Sequence, residues 1–196
     1  MDVLVRGGRD VRATLDGASG DACVVACPPH PQHRGSRSDE RLRAVSDELV
    51  ASGVDCLRID YGPWAEGDGE VGDAVDAVAH ARDELDYRHV GLFGYSFGGA
   101  VSLLAATECP VRAVSVLAPA HRLSADLDAV RGVESLTLPL QAVYGSRDTT
   151  VEWEPVVDAV RAQGGDVVEL PADHFFVGQA GTVADSVAPF LVAALA

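Results

Sequence analysis

Three residues of this chain have the types and settings needed for acyl chemistry. They are Ser96 in Gly94-Tyr95-Ser96-Phe97-Gly98, Asp148 in Gly145-Ser146-Arg147-Asp148, and His174 in Ala172-Asp173-His174-Phe175-Phe176. A serine hydroxyl is a weak nucleophile near neutral pH. An imidazole can take its proton and later return it to a leaving group, and a carboxylate can hold that imidazole in the required tautomer. The serine must also be lifted clear of its surroundings on a sharp turn. Gly94 and Gly98 suit that turn, because a Cβ at either position would strike the turned backbone or a neighbouring strand. Each residue has a plainer reading: a serine in a glycine-rich turn, a carboxylate binding turn amides, an ordinary histidine. Asp173 is a rival acid, but adjacent side chains in a loop diverge, which favours Asp148.

The elements around these residues set their meaning. An apolar run, Val90 to Phe93, leads into the Ser96 turn, and a small-residue helix pattern from Gly99 to Ala106 follows at once, so the order is strand, turn, helix. Asp148 follows a strand expected over Leu138 to Tyr144, and His174 follows the last strand, Val167 to Leu170. Loops at the carboxyl ends of parallel strands gather on one rim, where a crevice forms. The joint placement of the three residues behind successive strands therefore outweighs their separate plain readings.

The rest of the chain supplies that sheet. Val3 to Val5 and Val11 to Leu15 alternate and are joined through Gly7 and Gly8, which predicts an antiparallel hairpin, and Gly17 to Gly20 turns the chain. Ala22 to Cys27 is apolar throughout, as a strand covered on both faces should be. Pro28, Pro29 and Pro31 make the next stretch a rigid loop that is neither helix nor central strand. A helix capped by Ser38 or Asp39 runs to Ser52, followed by a strand at Val54 to Ile59, a loop from Asp60 to Gly69, and a helix over Val71 to Leu85. Beyond the serine turn come a strand at Val111 to Leu117, a polar stretch to Ser135 with room for one short helix, a helix over Trp153 to Ala162, and a closing helix from Val183 to Leu195 that Pro189 bends or displaces. After the hairpin, strands and helices alternate, giving an α/β fold of three layers with a mostly parallel sheet and one domain over residues 1–196.

GYSFGG, GSRD and ADHFF, with the upstream CPPHPQHRG, resemble the alpha/beta-hydrolase fold superfamily, in particular its small dienelactone-hydrolase-like and esterase-like members. The resemblance covers nearly the whole chain and implies Ser96 as nucleophile, Asp148 as acid and His174 as base. It also implies that the Phe97 amide gives one oxyanion donor and the Gln32 amide the other, although Arg34 and the doubled proline depart from the frequent HPHPxxGG form and can displace that second donor. The implied reaction is hydrolysis of a small carboxylic ester or related acyl substrate through an acyl-enzyme. Thioester, lactone and amide hydrolysis use the same apparatus, and a non-catalytic binding protein can share the scaffold.

No long insertion separates the strand at Val111 from that at Leu138, so no large lid is expected and the crevice should be open. Tyr61, Trp64, Tyr95, Phe175 and Phe176 are candidates to line it. Arg34 is either solvated surface or a contact for a carboxylate substrate. His30 and His33 with Asp60 form only a weak metal-site pattern, because two histidines three apart in a proline-bent loop lack a helical scaffold, so no metal or other cofactor is expected.

Composition narrows the setting. The 196 residues carry 30 acidic and 15 basic side chains, a formal charge of -15, and every basic residue is Arg because the chain has no Lys. This acidity spread along the chain resembles that of proteins from salt-loving archaea, and with no basic groove it argues against nucleic-acid binding. No apolar run approaches the roughly 18 residues needed to span a bilayer, and the start, MDVLVRGGRD, has no basic-then-apolar leader, so a cytoplasmic protein without membrane partners is expected. Cys23, Cys27, Cys56 and Cys109 lack zinc or redox spacing and read as small apolar side chains. The expected partner is a small acyl substrate, and the expected assembly a monomer or small homo-oligomer.

Overall fold

The computed structural model describes residues 1–17 and 20–196. Among these residues eight strands form one sheet: β1 (Asp2–Val5), β2 (Val11–Asp16), β3 (Ala22–Cys27), β4 (Asp55–Asp60), β5 (His89–Tyr95), β6 (Val114–Leu117), β7 (Leu140–Gly145) and β8 (Asp166–Leu170), in the order β1-β2-β4-β3-β5-β6-β7-β8. The expected hairpin is present, with β1 antiparallel to β2 and β2 antiparallel to β4. From β4 to β8 every pairing is parallel. The turn expected over Gly17 to Gly20 includes positions 18 and 19, which lie outside the described residues. All six residues of β3 are buried, as an unbroken apolar run at the sheet centre requires.

Among the described residues six α-helices cover the sheet: α1 (Glu40–Ala51), α2 (Asp68–Asp83), α3 (Phe97–Ala105), α4 (Ala129–Ser135), α5 (Glu154–Ala162) and α6 (Ala180–Leu195). Strand alternation divides the interior into two apolar layers. Val24 of β3 and Phe93 of β5 pack with Leu42, Val45 and Leu49 of α1 and Val187 and Leu191 of α6. Their chain neighbours Val25 and Leu92 face the other way, toward α2, α3, α4 and α5 through residues such as Val78, Val101, Val133 and Val160. Each fully buried side chain of this size contributes roughly 1.5–3 kcal/mol, so the two layers, rather than surface ion pairs, hold the sheet.

Helix ends follow from local chemistry. Asp39 caps α1 by accepting the Arg41 amide at 2.9 Å. α2 begins three residues earlier than apolar periodicity suggests, because the buried Glu70 carboxylate accepts the amides of Ala65 (3.0 Å) and Gly67 (2.8 Å) and ties the entering loop to the first turn. α6 likewise starts at Ala180 and runs on through Pro189. The proline-rich loop after β3 is not wholly irregular: Pro31–His33 form one 3-10 turn, with Pro31 in the first position, where a missing amide costs nothing. The β6–β7 connection carries only α4, and no large lid covers the rim among the described residues.

Candidate active site

β5 ends in a reversal that the sequence dictates. Ser96 has φ 57° and ψ -116°, a strained left-handed geometry held by its amide donating to the Leu117 carbonyl at 2.8 Å. A Cβ on Gly94 would fall 2.0 Å from the Gly98 carbonyl oxygen, and one on Gly98 would fall 2.2 Å from that of Cys27. Only glycine therefore lets the β5 end, the start of α3 and the end of β3 meet.

The structure brings the three predicted polar residues together. Ser96 Oγ lies 2.9 Å from His174 Nε2, and His174 Nδ1 lies 2.7 Å from Asp148 Oδ2. All three are buried. A carboxylate can only accept, so the hydrogen sits on Nδ1, and Nε2 presents its lone pair to the serine hydroxyl. Asp148 Oδ1 accepts the Thr150 amide at 2.8 Å, which fixes the carboxylate plane. Asp173 is exposed, and among the described residues its carboxylate accepts only the Phe175 amide, at 2.9 Å, so it caps a turn and does not hydrogen-bond His174.

Two contacts that local sequence patterns do not reveal hold the histidine loop. The Tyr95 hydroxyl donates to the His174 carbonyl at 2.9 Å, and burial pushes that phenol up to about 12, so it remains a donor. Arg41, in the first turn of α1, donates to the Phe175 carbonyl at 3.0 Å while paired with Asp39, and its guanidinium lies 4.9 Å from the Tyr95 ring centroid. Periodicity marks Arg41 only as a polar helix position.

A cleft of about 630 Å³ opens at Ser96, and Tyr95 and Phe175 line it as expected. Tyr61 and Trp64 instead stand behind it. Tyr61 packs edge-on to the Phe97 ring at 5.8 Å and donates to the Pro28 carbonyl at 3.1 Å, and Trp64 packs against the His30 ring at 4.7 Å. Their loop is anchored by buried Asp73 and Glu70, which pair with Arg9 and accept the Gly62, Ala65 and Gly67 amides. Burial holds the Asp73 carboxyl above its usual range, against the opposing pull of the Gly62 amide and Arg9. Phe176 is wholly buried in the α1 and α6 layer.

The Gln32 amide is already spent. It donates to His30 Nδ1 at 3.2 Å, and Gln32 does not line the cleft. Burial, and then His33 beside it, hold the His30 imidazole below its usual range, so Nδ1 is free to accept. The Phe97 and His30 amides have no acceptor among the described residues, and both residues line the cleft beside Ser96. His30 and His33 stack at 4.7 Å, while Asp60 is bound to Arg37 at 2.9 Å, so these three do not converge on one point. Among the described residues no three His, Cys, Asp or Glu side chains group as metal ligands, and no helix is long and apolar enough to cross a membrane.

Solved structures share this architecture over the whole chain. The XC6422 protein of Xanthomonas campestris, described as an α/β serine hydrolase without a lid, aligns at a TM-score of 0.84 and 20% identity, covering 100% of this chain and 94% of that one. The esterase Pf2001 of Pyrococcus furiosus aligns at 0.83 and 17%, covering 100% and 93%. These likenesses show that the fold is the alpha/beta-hydrolase fold. Among curated proteins, the quorum-quenching protein AidA of Acinetobacter baumannii is 26% identical over 151 residues, 70% of this chain and 50% of that protein. The chain thus spans about half the length of the curated relative it matches. No family model matches the chain.

Proposed function

We propose that this protein is a serine hydrolase that cleaves small carboxylic esters through an acyl-enzyme on Ser96. The observation that carries the reading is the continuous relay from Ser96 Oγ through His174 to Asp148, at 2.9 and 2.7 Å. As Oγ attacks the ester carbonyl carbon, its proton passes to Nε2, and Asp148 stabilises the imidazolium that forms. The carbonyl oxygen, now negative, is held by the Phe97 amide at the positive end of α3 and by the His30 amide, which takes the part expected of Gln32 because the Gln32 amide is engaged. When the carbon–oxygen bond to the alcohol breaks, Nε2 returns the proton to the departing oxygen. Water then attacks the acyl-enzyme, giving one proton to Nε2, and the acid leaves as Ser96 recovers it.

The absence of a large lid among the described residues supports a short, accessible substrate over a long lipid chain, and the fold likeness to an esterase points the same way. The relay asks for no metal or nucleotide. Cys23, Cys27 and Cys56 are buried and unpaired, which suits a reducing cytoplasmic setting. The test is labelling by a fluorophosphonate probe, read by mass spectrometry, with turnover of a panel of phenyl esters, thioesters and lactones. Wild type should label on Ser96 and prefer short esters, and folded Ser96→Ala should neither label nor turn over. Full turnover by Ser96→Ala would overturn the nucleophile assignment.

A further inference from the structure

The cleft at Ser96 has a charge opposite to that of the molecule. The chain carries twice as many acidic as basic side chains, yet three arginines, Arg34, Arg41 and Arg122, line this cleft against one carboxylate, Asp39. Two of the three are committed. Arg41 is paired with Asp39 at 2.5 Å and Arg122 with Asp128 at 2.8 Å. Arg34 has no ion pair or side-chain hydrogen bond among the described residues, is exposed, and extends from the end of the 3-10 turn that begins beside the His30 amide. It also sits at φ 66°, a left-handed position that glycine or asparagine would hold with less strain. The stacked imidazoles of His30 and His33 floor this side of the cleft, and Leu123, Val151 and Phe175 offer apolar surface elsewhere in it.

From this juxtaposition we infer that Arg34 seats a carboxylate on the substrate, so that the enzyme selects esters bearing a second, anionic group. The inference rests on the serine-hydrolase reading for the reacting bond, but the seat itself is a binding site. A guanidinium presents paired N–H donors that match a carboxylate, and next to an aromatic, partly desolvated wall such a contact outlasts the general screening of the surface by salt. The pairs of Arg41 with Asp39 and of Arg122 with Asp128 neutralise the carboxylates at the walls, so these do not repel the anion, and one guanidinium is left free to bind it.

Two substrate pairs test this, one with the anion on the leaving group and one with it on the acyl group: 4-acetoxybenzoate against its methyl ester, and monophenyl adipate against phenyl hexanoate. Wild type should favour the anionic member of at least one pair in kcat/KM, at low salt and in 1 M KCl. Arg34→Gln should lower that ratio by about ten- to hundredfold, the range for a hydrogen bond to a charged group, and Arg34→Glu should invert it, with melting curves showing both variants folded. No preference in wild type for either anionic ester overturns the inference. So does a preference that survives Arg34→Gln but vanishes in 1 M KCl, which would be diffuse attraction without a seat. Calorimetry of 4-hydroxybenzoate and adipate binding to Ser96→Ala, with and without Arg34→Gln, separates the seat from the chemistry. Binding to Ser96→Ala that weakens about ten- to hundredfold with the Arg34 change would uphold the seat even where wild type turns over none of the esters, the result that would remove the hydrolase. Binding unaffected by Arg34 would remove the seat whatever the turnover.

Discussion

Asp148→Asn should abolish most of the activity while leaving the protein folded, and the geometry says why. The Asp148 side chain is fully buried, with Oδ1 accepting the Thr150 amide at 2.8 Å and Oδ2 accepting His174 Nδ1–H at 2.7 Å. An asparagine in the same place must keep its oxygen toward the Thr150 amide, which can only donate, so its NH₂ turns toward the histidine. Nδ1 must then become an acceptor and the ring hydrogen moves to Nε2, where it faces Ser96 Oγ at 2.9 Å. A protonated Nε2 cannot take the serine proton. Losing the base in this way should lower kcat by about 10⁴, or roughly 5.5 kcal/mol of barrier. The stability loss should be far smaller, about 1–2 kcal/mol for one charge-assisted hydrogen bond weakened. Steady-state and burst kinetics on a phenyl ester, with thermal melts of the same samples, measure both quantities. Asp173→Asn is the control, because its exposed carboxylate accepts only the Phe175 amide and the change should be mild. A folded Asp148→Asn enzyme within about tenfold of wild type would refute the tautomer argument, and a severe Asp173 effect would move the acid to the neighbouring residue.

Three further perturbations test the scaffold. Gly98→Ala places a Cβ 2.2 Å from one backbone oxygen and 2.4 Å from another, neither able to swing aside, and should cost about 3 kcal/mol, or roughly 10 °C in melting temperature; an unchanged melt would contradict the close approach. Burial opposes ionisation of Asp16, but hydrogen bonds from Arg58 and Ser46 outweigh it and hold the carboxyl below the usual range, so its contribution exists above the ordinary carboxylate value and disappears as pH falls through the folded one. The melting difference between wild type and Asp16→Asn should therefore be widest at neutral pH and close below about pH 4; a constant gap down to pH 2 would be the contrary result. With a formal charge of -15, melting temperature should rise from dilute buffer into molar potassium chloride, and equal melts at both ends would count against screening as a stabilising influence.

The parts of this fold that announce themselves in sequence are those whose cause is local. Ala22–Cys27 has no polar position and can only be covered on both faces; Asp39 caps the helix it precedes; Gly94 and Gly98 bracket a serine because the backbone leaves no room for more. Asp148 and His174 were legible because each follows a strand and the rim of a parallel sheet gathers such loops. What escaped depends on partners far along the chain. The first turn of α2 reads as polar loop until Glu70 is seen to bind the loop amides behind it, and Arg41 reads as a surface residue until it meets the Phe175 carbonyl, 134 positions away. The engagement of the Gln32 amide escapes for a subtler reason: in a loop of prolines and histidines, motif spacing alone does not show that a neighbour's ring accepts it.

Ser96 also stands between neighbours that belong to different apolar layers. Alternation along β5 puts Tyr95, with Phe93, in the layer of α1 and α6, and the reversal at Ser96 sends Phe97 to that of α2 through α5. The hydroxyl between them is thus registered by both sides of the molecule, like a pin through two plates. Tyr95 also holds the histidine loop through its hydroxyl, and Phe97 is backed by Tyr61 and Trp64. A loosened core on either side of the sheet shifts one flank of the serine relative to the other. Loss of function can therefore begin deep in either layer, at residues with no polar atom near the cleft, well before the protein as a whole lets go of its fold.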